Sequence, residues 1–188
     1  MTRFTIGMMV ARSLIVSNLA SRITTVAKVR RQMKFADFIC IEAISVTLKA
    51  RHREGVIREL AQGLLEAGQI GTEQLDGIVK AILKREELGS TGLGHGVAIP
   101  HSKHPGVPQT TGVVAVSQEG IDFASLDGEA VYVFFLLVSP SETPDNHVRA
   151  LEKIARLVRD GTFGRFARQA ASVGEIKQLL LESDDDEG

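Results

Sequence analysis

The chain has 188 residues, with 22 lysines and arginines against 23 aspartates and glutamates and a net charge of −1. That length suits one domain with short additions, and the balanced charge gives no global reason to expect nucleic acid or a membrane as a partner. Cys40 is the only cysteine, which excludes an internal disulfide and suits a reduced, cytosolic setting.

The charge is unevenly spread. Residues 1–36 carry Arg3, Arg12, Arg22, Lys28, Arg30, Arg31 and Lys34 and no acid. Residues 1–34 are read as a basic N-terminal extension, with three readings open. Met33 is the true start, or the segment is a flexible basic arm, or it is a targeting peptide, whose acid-free, Ser/Thr-containing composition it shares. Its apolar runs, 6–11 and 14–16, are interrupted by arginines and fall far short of a membrane span, so no membrane insertion is expected.

The folded domain is expected over 35–181. Residues 43–49 alternate apolar and polar, with Ile44, Val46 and Leu48 on one side, which predicts a half-buried strand. Apolar residues at 56, 57, 60, 61, 64 and 65 predict a helix over 53–67, ended by Gly68. Thr72 opens a second helix with Leu75, Ile78, Val79, Ile82 and Leu83 as its stripe, running to about Arg85. A glycine-rich loop follows.

Residues 112–117 and 130–138 read as strands. The second is apolar on both faces and so belongs at the centre of its sheet. Between them lie a short extended piece at 121–123 and a turn at Asp127-Gly128. Asp145 or Asn146 caps a helix to about 160 that buries Val148, Leu151, Ile154, Ala155 and Val158. Ser172-Val-Gly-Glu175 is a capping box ahead of a last helix to 181, and 182–188 is expected to be an acidic, disordered tail. Alternating strands and helices argue a layered α/β domain.

The chemistry lies between Arg85 and His101. Glycines at 89, 92, 94 and 96 let backbone N–H groups line an anion site. The run Val97-Ala98-Ile99 stops at Pro100 and delivers His101, a nucleophile able to carry a phosphoryl group. With the hydroxyls of Ser90 and Thr91 and a guanidinium fork at Arg85, these residues suit a phosphoryl group moving onto a histidine. Blander roles stay open beside these: a structural histidine at a strand end, an arginine satisfying a helix C-terminus, and hydroxyls that cap the loop. His95 and His104 flank His101, but they have no second pair at zinc spacing and no nearby cysteine, so neither metal nor cofactor is expected.

The run Arg85-Glu86 … Gly89-Ser90-Thr91-Gly92 … Gly94 … Gly96-Val97-Ala98-Ile99-Pro100-His101 resembles the active-site signature of fructose/mannitol-type EIIA domains of the bacterial phosphotransferase system. It is most similar to their nitrogen-regulatory branch, and the resemblance covers about residues 35–181. It implies an α/β fold with a mixed central β-sheet flanked by helices on both sides. It also implies His101 as the phosphorylated histidine, through Nε2, with Arg85 beside it. His147, in a run close to the family's His-hydrophobe-x-x-Leu pattern, is implied as the second active-site histidine. Ser90, Thr91 and Gly92 are the expected phosphoryl-binding groups. Lys103 resembles the nitrogen-regulatory branch, where sugar-transport members often have an acid.

The implied partners are an HPr-like phosphohistidine protein as donor and, downstream, regulatory targets or an EIIB cysteine of a sugar permease. A partner has to approach His101, so Leu93, Lys103 and Val107 are expected on its docking surface. A reading from another class is a binding module that keeps the fold and recognises partners without phosphorylation. One departure stands out. The family's Ser-Lys-Glu-Glu run before the first helix is Arg51-His52-Arg53-Glu54 here, a more basic surface.

Overall fold

Residues 131–139 form the central strand, and their apolar side chains serve two cores at once. The computed structural model describes residues 32–185, so nearly all of the expected basic extension lies outside the described residues. In chain order the elements are α1 (Arg53–Glu66), α2 (Thr72–Glu87), β1 (Gly92–Gly94), β2 (Val97–Ala98), β3 (His101–Lys103), β4 (Thr111–Ile121), β5 (Val131–Ser139), α3 (Pro144–Val158), α4 (Thr162–Gln169) and α5 (Val173–Asp185).

The sheet is mixed. β2 and β3 both run parallel to β5 on one side, β4 pairs antiparallel on the other, and β1 pairs antiparallel with β2. Val97 lies opposite Val133 and His101 opposite Leu137, so the offset is the same on both sides of Pro100. Residues 97–103 therefore follow β5 as one course. Pro100 has no N–H to give, but its carbonyl accepts from Leu137 N–H at 3.0 Å, which keeps the register through the proline.

Alternation along β5 divides the core. Phe134, Leu136 and Val138 face α1 and α2, where Ile57, Leu60, Leu64, Ile78 and Ile82 are buried. Val133, Phe135 and Leu137 face the other layer, with Ile154, Phe163, Ile176 and Leu180 from α3, α4 and α5. Each such side chain stabilises the fold by about 1.5–3 kcal/mol relative to exposure. The mixed sheet with helices on both faces is the expected architecture. Among the described residues no helix is long and apolar enough to cross a membrane.

Four expectations change. Residues 43–49 are not a strand. The chain makes a 3₁₀ turn at Ile41–Ala43 and meets β4 through one isolated bridge, Ser45 to Ala115, and a bond from Leu48 N–H to the Val116 carbonyl at 3.0 Å. Ile44 joins the α3–α5 core and Leu48 the α1–α2 core, so the segment crosses the sheet edge instead of presenting one side. The Glu59 carboxylate draws it toward α1 by accepting from the N–H groups of Lys49 and Ala50.

The buried face of α3 is also rotated. His147, Ala150, Lys153, Ile154 and Val158 are buried, while Val148 and Ala155 are exposed. The short helix α4 was not expected; its N-cap is Gly161 in the left-handed region (φ 74°), with no hydroxyl to mark it.

Finally, residues 182–185 are the last turn of α5, not a tail. Asp184 is buried, pairs with Lys153 Nζ at 2.8 Å, and accepts from Phe35 N–H at 3.0 Å through Oδ2. The Lys153 ammonium also lies 4.8 Å over the Phe35 ring. One acid thereby ties the start of the domain to α3 and α5. Asp184→Ala is expected to destabilise the domain by about 3–5 kcal/mol, because it removes one partner of a buried ion pair. Asp185→Ala, at an exposed neighbour, should change stability by under about 0.5 kcal/mol. Urea denaturation measures both; equal effects would contradict the ion-pair tie.

Candidate active site

The register of 97–103 on β5 sets the site. His101 and Lys103 of β3 share a face with their partners Leu137 and Ser139, and this is the face that α3 covers. The first turn of α3 then brings His147 to His101, with ring centroids 5.6 Å apart and planes at 56°.

His101 is half-buried, and its Nδ1 lies 2.7 Å from the Ile99 carbonyl oxygen. A carbonyl only accepts, so Nδ1 carries the hydrogen and the neutral ring keeps its lone pair on Nε2. Burial pushes the His101 pKa below the ordinary value, opposed by the Ile99 carbonyl; the Arg85 charge lowers it further and Glu86 opposes that. His147 is buried, its Nδ1 2.9 Å from Ser139 Oγ. Burial first, then the charges of His101 and Lys103, lower its pKa to about 4. Both rings are therefore neutral near pH 7.

Arg85 stands in the last turn of α2 and donates to the Gly89 carbonyl at 2.9 Å. It thus pins the turn just beyond the helix, places a cation in the last turn, and also projects its charge onto His101. Glu86, to which sequence reasoning gave no role, is buried. Its carboxylate accepts from both the N–H of Thr91, at 3.1 Å, and the Thr91 hydroxyl. Its signal in the sequence was only its place next to Arg85.

Ser90 Oγ donates to the Phe123 carbonyl at 2.8 Å and accepts from Gly92 N–H at 3.1 Å. A Cβ on Gly92 would meet Ser125 Cα at 2.8 Å, so the glycine allows close packing of β1. The Ser90 hydroxyl, the Thr91 hydroxyl and N–H, and the Gly92 N–H thus have partners at Phe123, Glu86 and Ser90, which fasten the loop to its surroundings. His95 (φ 54°) and Gly96 (φ 73°) make the tight turn between β1 and β2, the hairpin geometry that needs positive φ at both central residues.

Leu93 and Lys103 are exposed, as a docking surface requires. Val107 is not; it is 2% exposed and belongs to the α1–α2 core. A turn from His104 to Val107 and a hydrogen bond from Gln74 to the Gly106 carbonyl fold this stretch against α2, which carries the valine inward. The exposed apolar residues around the loop are instead Leu88, Leu93 and Leu126, with Leu126 N–H bonded to the Gly92 carbonyl. Val148, beside His147, is also exposed.

Residues 37–183 match the family model described as the phosphoenolpyruvate-dependent sugar phosphotransferase system, EIIA 2. A nitrogen regulatory protein from Bradyrhizobium diazoefficiens is 34% identical over 148 residues, covering 79% of this chain and 95% of that protein. The fructose-specific EIIABC component of Bacillus subtilis is 28% identical over 152 residues, 81% of this chain but 24% of that longer protein. The crystal structure of the nitrogen regulatory protein IIA-Ntr from Neisseria meningitidis superposes with a TM-score of 0.70 at 27% identity, covering 78% of this chain and 98% of that one. With the family model spanning most of its length and this fold beneath it, the chain belongs to the EIIA type-2 family of the phosphoenolpyruvate-dependent phosphotransferase system.

Proposed function

We propose that this chain is a nitrogen-regulatory phosphocarrier of the cytoplasm, which accepts a phosphoryl group on Nε2 of His101 from an HPr-like phosphohistidine protein. The observation that carries the reading is the bond between His101 Nδ1–H and the Ile99 carbonyl, which leaves Nε2 as the nucleophile. The Nε2 lone pair forms the new P–N bond, while the electron pair of the donor's P–N bond returns to the donor's imidazole. His101 becomes a phosphoimidazolium whose Nδ1–H still rests on the Ile99 carbonyl. Such a transfer needs positioning and charge stabilisation more than covalent help, and the cationic field of Arg85 together with His147 supplies the latter.

The phosphoryl group brings roughly two negative charges, offset by one positive charge on the imidazolium, beside an apolar rim of Leu88, Leu93 and Leu126. A target docking by apolar contact is repelled, and one bearing arginines is attracted, so the output is a change of partners. A second reading, favoured by the fructose-specific relative, passes the group to an EIIB cysteine. Phosphorylation without support of sugar uptake distinguishes the regulatory reading.

His101→Ala is expected to abolish labelling by the phosphoenolpyruvate-driven relay with the fold retained; mass spectrometry that finds the acid-labile phosphate on His104 or His147 would overturn the assignment. His147→Ala should slow single-turnover transfer on the order of a hundredfold. Arg85→Lys should slow it about tenfold, since charge is kept and the fork is lost.

The depressed His147 pKa also predicts a pH dependence of stability. The unfolded chain takes up a proton below its ordinary pKa of 6.5, whereas the folded ring resists until about 4. Stability is therefore full above the unfolded value and falls between these limits, by up to about 3 kcal/mol. Urea titrations from pH 7 to 4 should show this slope, and His147→Gln should flatten it.

A further inference from the structure

We infer that Ser139 is a positioning residue whose hydroxyl donates to Nδ1 of His147 and so holds that ring as the Nε2–H tautomer. Its functional meaning rests on the phosphohistidine reading above. The tautomer itself does not.

Ser139 ends β5 and is fully buried. Among the described residues its hydroxyl has one hydrogen-bond partner, His147 Nδ1 at 2.9 Å. A serine hydroxyl can donate or accept, and so can a neutral imidazole nitrogen, so the bond alone has two senses. Burial decides between them. If Nδ1–H donated, the serine O–H would be left in the interior without an acceptor, at a cost of about 1–3 kcal/mol. If the hydroxyl donates, every proton in the pair is used. Ser139 cannot rotate its hydroxyl out to water, and its carbonyl is already engaged by His104 N–H at 2.9 Å, on the strand side.

The same ring atom thus meets opposite partners in the two histidines. Nδ1 of His101 faces a carbonyl and must carry a hydrogen; Nδ1 of His147 faces a hydroxyl and must not. His101 then offers a lone pair on Nε2, while His147 offers an N–H. Only this combination puts a nucleophile and a donor for an anionic oxygen on neighbouring rings. The reverse tautomer of His147 would aim a lone pair at the phosphoryl oxygens and repel them. A neutral side chain buried eight residues before His147 thus determines whether the second histidine assists the transfer or opposes it.

The experiment is a long-range ¹H–¹⁵N correlation spectrum of the histidine rings of the full chain at pH 7, with no phosphoryl donor present. The expected result is a bare Nδ1 and protonated Nε2 on His147, with the reverse on His101. Ser139→Ala should shift His147 toward a mixture of tautomers and slow phosphoryl transfer to His101 by about tenfold, the equivalent of one hydrogen bond. A protonated Nδ1 on His147 in the wild type would overturn the inference. So would Ser139→Ala that leaves the tautomer unchanged, whatever its rate. Because the spectrum needs no phosphorylation, a failure of His101 to accept label leaves this result standing and is read separately.

Discussion

The parallel pairing of residues 97–103 with β5 is the constraint on which the site depends. It holds one register through Pro100 and so fixes which residues share the face beneath α3. A slip of one residue would send His101 and Lys103 into the α1–α2 core and bring Ser102 to the site. Such a slip is prevented from both sides. β5 is buried on both faces, and the Leu137 N–H is satisfied by the one carbonyl that a proline still offers. The glycine-rich loop before this course then serves mostly itself. Glu86 anchors Thr91, Ser90 anchors Gly92, and the hairpin turn at His95-Gly96 aims the chain into β2.

Electrostatics complete what register begins. On the proposed reading the acceptor His101 must stay neutral to attack, and burial first, then nearby positive charge, lowers the pKa of both His101 and His147. Burial without compensation would leave the product's charge unsupported. Arg85 and Lys103 place positive charge near the two histidines, and Arg85 does so while pinning the turn beyond α2. Placing these cations at the site further disfavours protonated histidine and favours an anion there. On the proposed reading, both trends suit rings that are neutral before transfer and a phosphoryl anion held beside them afterwards.

Much of this was legible in the chain because the motif is contiguous. Arg85, the glycines and His101 fall within one short run, α1 and α2 announce themselves through strong periodicity, and β5 does so through its unbroken apolar run. What escaped depends on residues far apart in sequence. The alternation of 43–49 is the same for a strand as for a segment crossing a sheet edge, and only the Glu59 carboxylate, on α1, separates them. The acid run at the end reads as solvated by composition, yet Asp184 meets Lys153 inside the fold. Val107 reads as a loop residue between prolines, and its burial comes from the tie between Gln74 and Gly106. The contacts that set the chemistry of the two histidines, Ile99 for one and Ser139 for the other, follow from the backbone path and leave no pattern in the sequence.

The most direct test of the account is the identity of the nitrogen that carries phosphorus. The protein, uniformly ¹⁵N-labelled and phosphorylated through the relay, can be read by ³¹P–¹⁵N coupling. Phosphorus is expected on Nε2 of His101, with Nδ1 of the same ring still protonated against the Ile99 carbonyl. Phosphorus on Nδ1 of His101, or on either nitrogen of His147, would contradict it.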